Sequence, residues 1–95
     1  MEFTVKAERI LLEREDEADT ISFNLVLSAY SRQRRIESAR RADALLHVLL
    51  QNSRLVADTY SYSAVLLAYA RSGGQRRSAL RAQELLQQME VSGIS

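Results

Sequence analysis

Apolar and polar residues alternate along this chain with the period of α-helices. Two sets of apolar residues follow the spacing i, i+3, i+4, i+7, which places each set on one face of a helix. The first set is Phe23, Val26, Leu27 and Tyr30, and the second is Tyr62, Val65, Leu66 and Tyr69. We therefore predict one amphipathic helix around each set.

Two further apolar stripes predict the helices that follow. They are Ala42, Leu45, Leu46 and Leu49, and Ala82, Leu85, Leu86 and Met89, all expected to face inward. The corresponding helices are expected from about Glu37 to Leu50 and from about Ser78 to Glu90. An upstream stretch, "AERILLERE" at positions 7–15, is similar to these second helices. The pattern of apolar residues therefore predicts five helices.

Local signals mark where the first helix of each pair begins. Asp19 and Asp58 are each followed by Thr, and an Asp side chain at such a position caps the free N–H groups of a helix start. The chain contains no Pro and only three Gly. This scarcity of helix-breaking residues favours helix throughout.

The chain repeats itself. Nine of fifteen positions are identical between residues 18–32 and 57–71, at an offset of 39. "RADALL" at 41–46 recurs as "RAQELL" at 81–86, at an offset of 40, and the extra residue falls at Gly73-Gly74. A repeated pair of helices predicts an all-α chain of the α-solenoid class, in which each pair packs against the next.

The composition excludes several classes of function. There is no Cys, and His47 is the only His, so the chain cannot assemble a nucleophile–histidine pair or a His-rich metal site. We expect neither enzymatic activity nor a cofactor. No apolar run approaches the roughly 20 residues that span a bilayer, so we expect no membrane partner.

Charge is distributed unevenly. Residues 1–19 carry seven acids and three bases, whereas residues 20–95 carry ten bases and five acids. The repeated part of the chain is therefore basic and suits an anionic partner. The alternative on charge alone is a solvated surface rich in Arg.

A second stripe remains on the first helix of each pair once the core face is assigned. It comprises Ile21, Asn24, Ser28 and Arg32, and then Tyr60, Ser63, Leu67 and Arg71. Each copy offers an apolar or aromatic residue, then a small polar one, then a guanidinium. This order suits a nucleotide, since the first could stack on a base, the second bond its edge and the third meet its phosphate.

These motifs resemble those of pentatricopeptide repeat proteins. The resemblance rests on "DTISFNLVLSAYSR" and "DTYSYSAVLLAYAR", on "RADALL" and "RAQELL", and on the closing "MEVSGIS". It divides the chain into the second helix of a preceding repeat (1–17), one repeat (18–56) and a second repeat (57–95) truncated at its end. It implies single-stranded RNA as the partner, with one base bound per repeat and no small-molecule substrate.

The resemblance also implies which residues recognise the bases. The pair Asn24 and Asp58 implies uracil, and Ser63 implies a purine. Asp19 would serve a recognition residue that precedes this segment. Asp19 and Asp58 are also expected to cap their helices, and on the residues alone Asn24 and Ser63 could be ordinary exposed positions.

The remaining stripe residues have roles in the same scheme. Ile21 and Tyr60 occupy the position that stacks between neighbouring bases, where Tyr60 departs from the usual aliphatic residue. Arg32 and Arg71 match the position that meets the phosphate backbone, although both could instead be solvated cations at a helix end. Two repeats bind too few bases for useful affinity, so we expect a larger RNA-processing or RNA-stabilising protein in which neighbouring repeats add contacts, including protein partners.

Two further expectations follow. The resemblance implies a mitochondrial or plastid protein, although the N-terminal sequence carries no targeting segment. The alternative function is a protein-interaction scaffold of tetratricopeptide-like architecture, whose inner stripe would bind a peptide.

Overall fold

The computed structural model describes residues 2–73 and 76–93. These residues form five helices and no strand. The helices are α1 (Glu2–Glu13), α2 (Thr20–Ser31), α3 (Ile36–Gln51), α4 (Thr59–Arg71) and α5 (Arg76–Val91). The prediction of an all-α chain with five helices is confirmed, and the predicted bounds of α3 and α5 differ from the observed ones by one or two residues. The curvature of a solenoid belongs to longer stacks and stays a prediction.

The two repeated helices begin as the sequence predicts. Asp19 caps α2 by accepting a hydrogen bond from the backbone N–H of Ser22 at 2.8 Å. Asp58 caps α4 through the backbone N–H of Ser61 at 3.1 Å, and the Ser61 hydroxyl in turn accepts from the backbone N–H of Asp58 at 3.1 Å. These reciprocal bonds satisfy backbone donors that a helix start otherwise leaves free.

The connections inside the two pairs share one backbone feature. Arg34, after α2, has a φ of 56°, and Gly73, which lies 39 positions later, has a φ of +98°. Glycine adopts such angles without steric cost, so the second copy carries the better-suited residue. Of the predicted insertion at Gly73-Gly74, only Gly73 lies within the described residues.

The helices pack as a row of hairpins. Each helix contacts the next along the chain, and α2 also lies directly against α4. The core between them contains the predicted apolar faces of α2, α3 and α4, with Phe23, Leu27, Leu49 and Val65 fully buried. Because α2 and α4 are neighbours, their equivalent side chains are brought onto one continuous surface.

Hydrogen bonds from side chains to backbone carbonyls fix how the second unit packs on the first. The Arg54 guanidinium donates to the carbonyl oxygens of Glu15 and Ala18 at 2.7 and 2.8 Å. The Thr20 hydroxyl donates to the carbonyl oxygen of Val56 at 3.0 Å. These bonds join the segments that precede α2 and α4, and so they hold the two helix starts side by side.

A second tie between the units involves Tyr30 and Tyr69, two of the buried tyrosines, which lie at the ends of the predicted apolar faces. The Tyr69 hydroxyl on α4 donates to the Asp43 carboxylate on α3 at 2.5 Å, and Arg81 on α5 binds the same carboxylate through two bonds of 2.7 and 2.9 Å. One unit earlier, Tyr30 donates to Glu8 of α1. Burial of the Tyr30 phenol, and to a lesser extent its bond to Glu8, raise the pKa of Tyr30 to about 12.

One prediction about the core is wrong. Leu86 was expected to face inward, but it is 49% exposed, whereas its equivalent Leu46 is 1% exposed. Leu46 is covered because α4 packs against α3, and among the described residues no helix follows α5 to cover Leu86 in the same way. The preceding leucines, Leu45 and Leu85, are buried in both copies.

Candidate nucleic-acid interface

The surface shared by α2 and α4 carries the second stripe that the sequence predicts. A cleft of about 290 Å³ lies between the two helices. It is lined by Asn24, Ser28, Ser31, Thr59, Tyr60, Ser63, Ala64 and Leu67. The cleft is open to solvent and lies at the small end of the range of about 300–1,000 Å³ that is usual for ligand pockets. Five of the stripe residues therefore meet in one cleft.

The predicted recognition pair is in direct contact. Asn24 on α2 and Asp58 at the start of α4 are 34 residues apart, and the Asn24 Nδ2 donates to the Asp58 Oδ1 at 3.0 Å. The other end of the amide is also held, because the Ser61 hydroxyl donates to the Asn24 Oδ1 at 2.6 Å. The cap of α4 thus contacts both polar atoms of Asn24.

Asp58 is an anion at neutral pH. Partial burial by itself raises the pKa of Asp58, but hydrogen bonds from the Ser61 backbone N–H and the Asn24 amide outweigh it and hold that pKa below its usual value. An ionised carboxylate can only accept hydrogen bonds, so beside Asn24 it accepts one from the NH₂ group and repels the carbonyl oxygen. The charge of Asp58 therefore favours the orientation in which the Asn24 NH₂ group faces the carboxylate.

The positions assigned to base stacking are exposed. Ile21 is 68% exposed and Tyr60 is 78% exposed. Side chains this exposed contribute little to the stability of the fold, so both are available to pack against a ligand. Tyr60 borders the cleft, whereas Ile21 does not line it.

The two arginines at the helix ends have no acidic partner among the described residues. Arg32 caps the C-terminus of α2 and is exposed. Arg71, in the last turn of α4, donates to the carbonyl oxygen of Ser31 at 3.4 Å and is also exposed. Within residues 2–73 and 76–93, neither guanidinium forms an ion pair, which leaves both charges available to an anion.

Asp19 and Ser63 are the two predicted recognition residues whose expected partners would belong to neighbouring repeats. Asp19 accepts hydrogen bonds from the backbone and the hydroxyl of Ser22, which lower the pKa of Asp19, and it contacts neither Asn24 nor Ser63. Ser63 is half-buried in the cleft, and its hydroxyl has no hydrogen-bond partner in the described part of the chain. The structure therefore brings together one of the predicted recognition pairs.

Ser61 is a contact of this surface that the sequence did not predict. Ser61 is fully buried and contacts Asn24 from the neighbouring unit. The signal was present, because a serine follows both capping aspartates at the same spacing, as Ser22 and Ser61. It indicated only a cap, since nothing in the linear sequence shows that the second cap lies under Asn24.

The described residues contain no group of three or more His, Asp or Glu side chains able to hold a metal ion. None of their helices combines the length and apolarity that crossing a membrane requires. Comparison of the chain with protein-family models, with curated proteins and with solved structures finds no match.

Proposed function

We propose that this chain binds single-stranded RNA along the surface shared by α2 and α4, with one base at each repeated unit. The observation that carries the proposal is the contact between Asn24 and Asp58 at 3.0 Å, across two units that are 34 residues apart in sequence. Two residues that a pentatricopeptide resemblance pairs for base recognition are thus neighbours at the edge of an open cleft. The proposal places uracil at this pair and a purine at Ser63.

The surroundings of the pair support a nucleotide over a peptide. Tyr60 and Ile21 offer exposed surfaces for stacking, and Arg32 and Arg71 offer charges that form no ion pair with the described acids and are available to phosphates. Leu67 is 45% exposed in the same cleft. This apolar side chain would suit the alternative function, a scaffold that binds an apolar peptide. The two proposals differ in whether Asn24 responds to the identity of a base.

The affinity of this chain alone should be weak. Stacking contributes about 1–3 kcal/mol per base, so two bases give a dissociation constant on the order of millimolar. We therefore propose that the chain acts within a longer array in an RNA-processing or RNA-stabilising protein. The resemblance implies a mitochondrion or plastid, and this remains a proposal.

Replacing Asn24 by Ser is expected to change which RNA the chain prefers. Titration of the ¹⁵N-labelled chain with short oligomers of one base should show preference for uridine in the wild type, reported by the backbone amides of α2 and α4, which the variant retains. In Asn24→Ser the preference should move toward a purine, because a hydroxyl replaces the amide beside Asp58. Ser28→Ala, one turn away in the same cleft, is the matched control. An unchanged preference in Asn24→Ser would rule out base recognition here, and binding of none of the RNAs would rule out the proposed function.

Replacing Arg32 and Arg71 by Gln is expected to weaken binding of every RNA to a similar degree. Each lost phosphate contact should reduce the slope of log K against log[salt] by about 0.7, because fewer counterions are released. The measurement is the same titration at several salt concentrations. Arg35→Gln is the control, because its guanidinium is exposed but lies near Glu37 at 3.8 Å. An unaltered slope in the double variant would assign both arginines to the solvated surface.

A further inference from the structure

Asn24 alone cannot select a base. Its amide has two N–H donors and an oxygen that accepts two hydrogen bonds. Uracil and guanine present a carbonyl acceptor beside an N–H donor, whereas cytosine and adenine present an amino donor beside a nitrogen acceptor. An amide that can turn over pairs with either order. Selectivity therefore requires that the amide be held in one orientation.

Two contacts hold the Asn24 amide in this structure. The Asp58 carboxylate accepts from Nδ2 at 3.0 Å, and the Ser61 hydroxyl lies 2.6 Å from Oδ1. Turning the amide over would place its oxygen beside the carboxylate and its NH₂ group beside the Ser61 hydroxyl. Each polar atom of Asn24 keeps one further hydrogen-bonding capacity for a ligand.

The single hydroxyl proton of Ser61 is committed to Asn24. The Ser61 oxygen accepts from the backbone N–H of Asp58 at 3.1 Å, and its proton can go to the Asp58 carboxylate at 3.1 Å or to the Asn24 carbonyl at 2.6 Å. The shorter contact takes the proton. Ser61 is fully buried, so water does not compete for this bond.

We propose that Ser61 is a positioning residue for base selection, which acts by fixing the orientation of the Asn24 amide. This inference rests on the proposed function of the α2 and α4 surface. It adds a third residue to the pair Asn24 and Asp58, and it makes the capping box of α4 part of the recognition site of the preceding unit. A hydroxyl at this position, three residues after the capping Asp, would then be required wherever an amide is the recognising group.

The chain provides a matched control for this proposal. Ser22 occupies the equivalent position of α2, and it bonds the Asp19 carboxylate through its backbone N–H and its hydroxyl, each at 2.8 Å. Ser22→Ala and Ser61→Ala therefore each remove a hydroxyl that bonds the capping Asp, at equivalent positions of the two helices. Only Ser61→Ala also removes a contact to Asn24.

The test is titration of the wild type and both variants with a uridine and a cytidine tetranucleotide, followed at the Asn24 side-chain amide. A well-placed pair of hydrogen bonds discriminates between bases by about tenfold or more. We expect Ser61→Ala to reduce the uridine preference by about threefold to tenfold, because only Asp58 then holds the amide, and Ser22→Ala to retain it. Thermal unfolding of both variants gives the decrease in Tm of each, so that a loss of base preference is separated from a loss of folded chain.

The outcomes are distinguishable. If Ser61→Ala keeps the preference of the wild type, or if Ser22→Ala loses it equally, the role of Ser61 is overturned while the proposed function stands. If the wild type itself shows no preference between the two oligomers, base recognition by Asn24 fails, and the role of Ser61 fails with it.

Discussion

Replacing Leu46 by Ala is expected to lower the free energy of unfolding by about 2–5 kcal/mol. Leu46 is 1% exposed and belongs to the core that α3 shares with α2 and α4. The truncation removes apolar contacts and leaves a cavity, because close-packed neighbours relax only in part. A domain of this size has a total stability of about 5–14 kcal/mol, so the loss is a large share of it.

The equivalent substitution in the second unit is the control. Leu86 is 49% exposed, so Leu86→Ala should cost less than about 1 kcal/mol, although the repeat aligns it with Leu46. Chemical denaturation of both variants, followed by circular dichroism, gives the two values. Equal losses would mean that Leu86 is buried in solution, and the packing described at this end of the row would be wrong.

Replacing Asp43 by Ala is expected to lower the free energy of unfolding by about 2–3 kcal/mol. The Asp43 carboxylate receives two bonds from Arg81 and one from Tyr69, so its removal leaves a guanidinium and a phenol without their acceptor. The loss should be smaller than for a fully buried ion pair, because the Arg81 side chain is 34% exposed and can regain water. The measurement is again chemical denaturation.

A second acid near the same arginine is the control for this prediction. Glu84 lies 3.7 Å from Arg81, but its side chain is 66% exposed, so Glu84→Ala should cost less than about 0.5 kcal/mol. A loss in Asp43→Ala as small as that in Glu84→Ala would show that the Asp43 contacts do not hold α3, α4 and α5 together in solution.

The Asp43 contacts also predict a dependence on pH. Burial alone raises the pKa of Asp43, but the bonds from Arg81 and Tyr69 outweigh it and hold that pKa below its usual value. A carboxyl whose pKa is lower in the folded chain stabilises the fold above its unfolded pKa of about 3.9 and loses that contribution as the pH falls through the folded pKa. The difference in stability between wild type and Asp43→Ala should therefore be constant near neutral pH and shrink below about pH 4.

The contacts of the candidate site could be predicted only in part. The repeat aligns Asn24 with Ser63 and Asp19 with Asp58, and the resemblance pairs Asn24 with Asp58. The sequence could not show that Ser61 lies against the Asn24 oxygen, because this contact joins residues 37 positions apart and depends on how closely α4 approaches α2. The same holds for Asp43 and Arg81, which are 38 positions apart.

By itself the sequence determined the helices of this protein. The apolar spacing set which face of each helix packs inward, and the capping residues Asp19 and Asp58 set where α2 and α4 begin, because these are effects among residues within a few positions of one another. Only the tertiary structure decided which of two aligned leucines is buried and which hydroxyl holds Asn24. Those outcomes depend on which helix lies beside which, and equivalent positions on α3 and α5 have different neighbours.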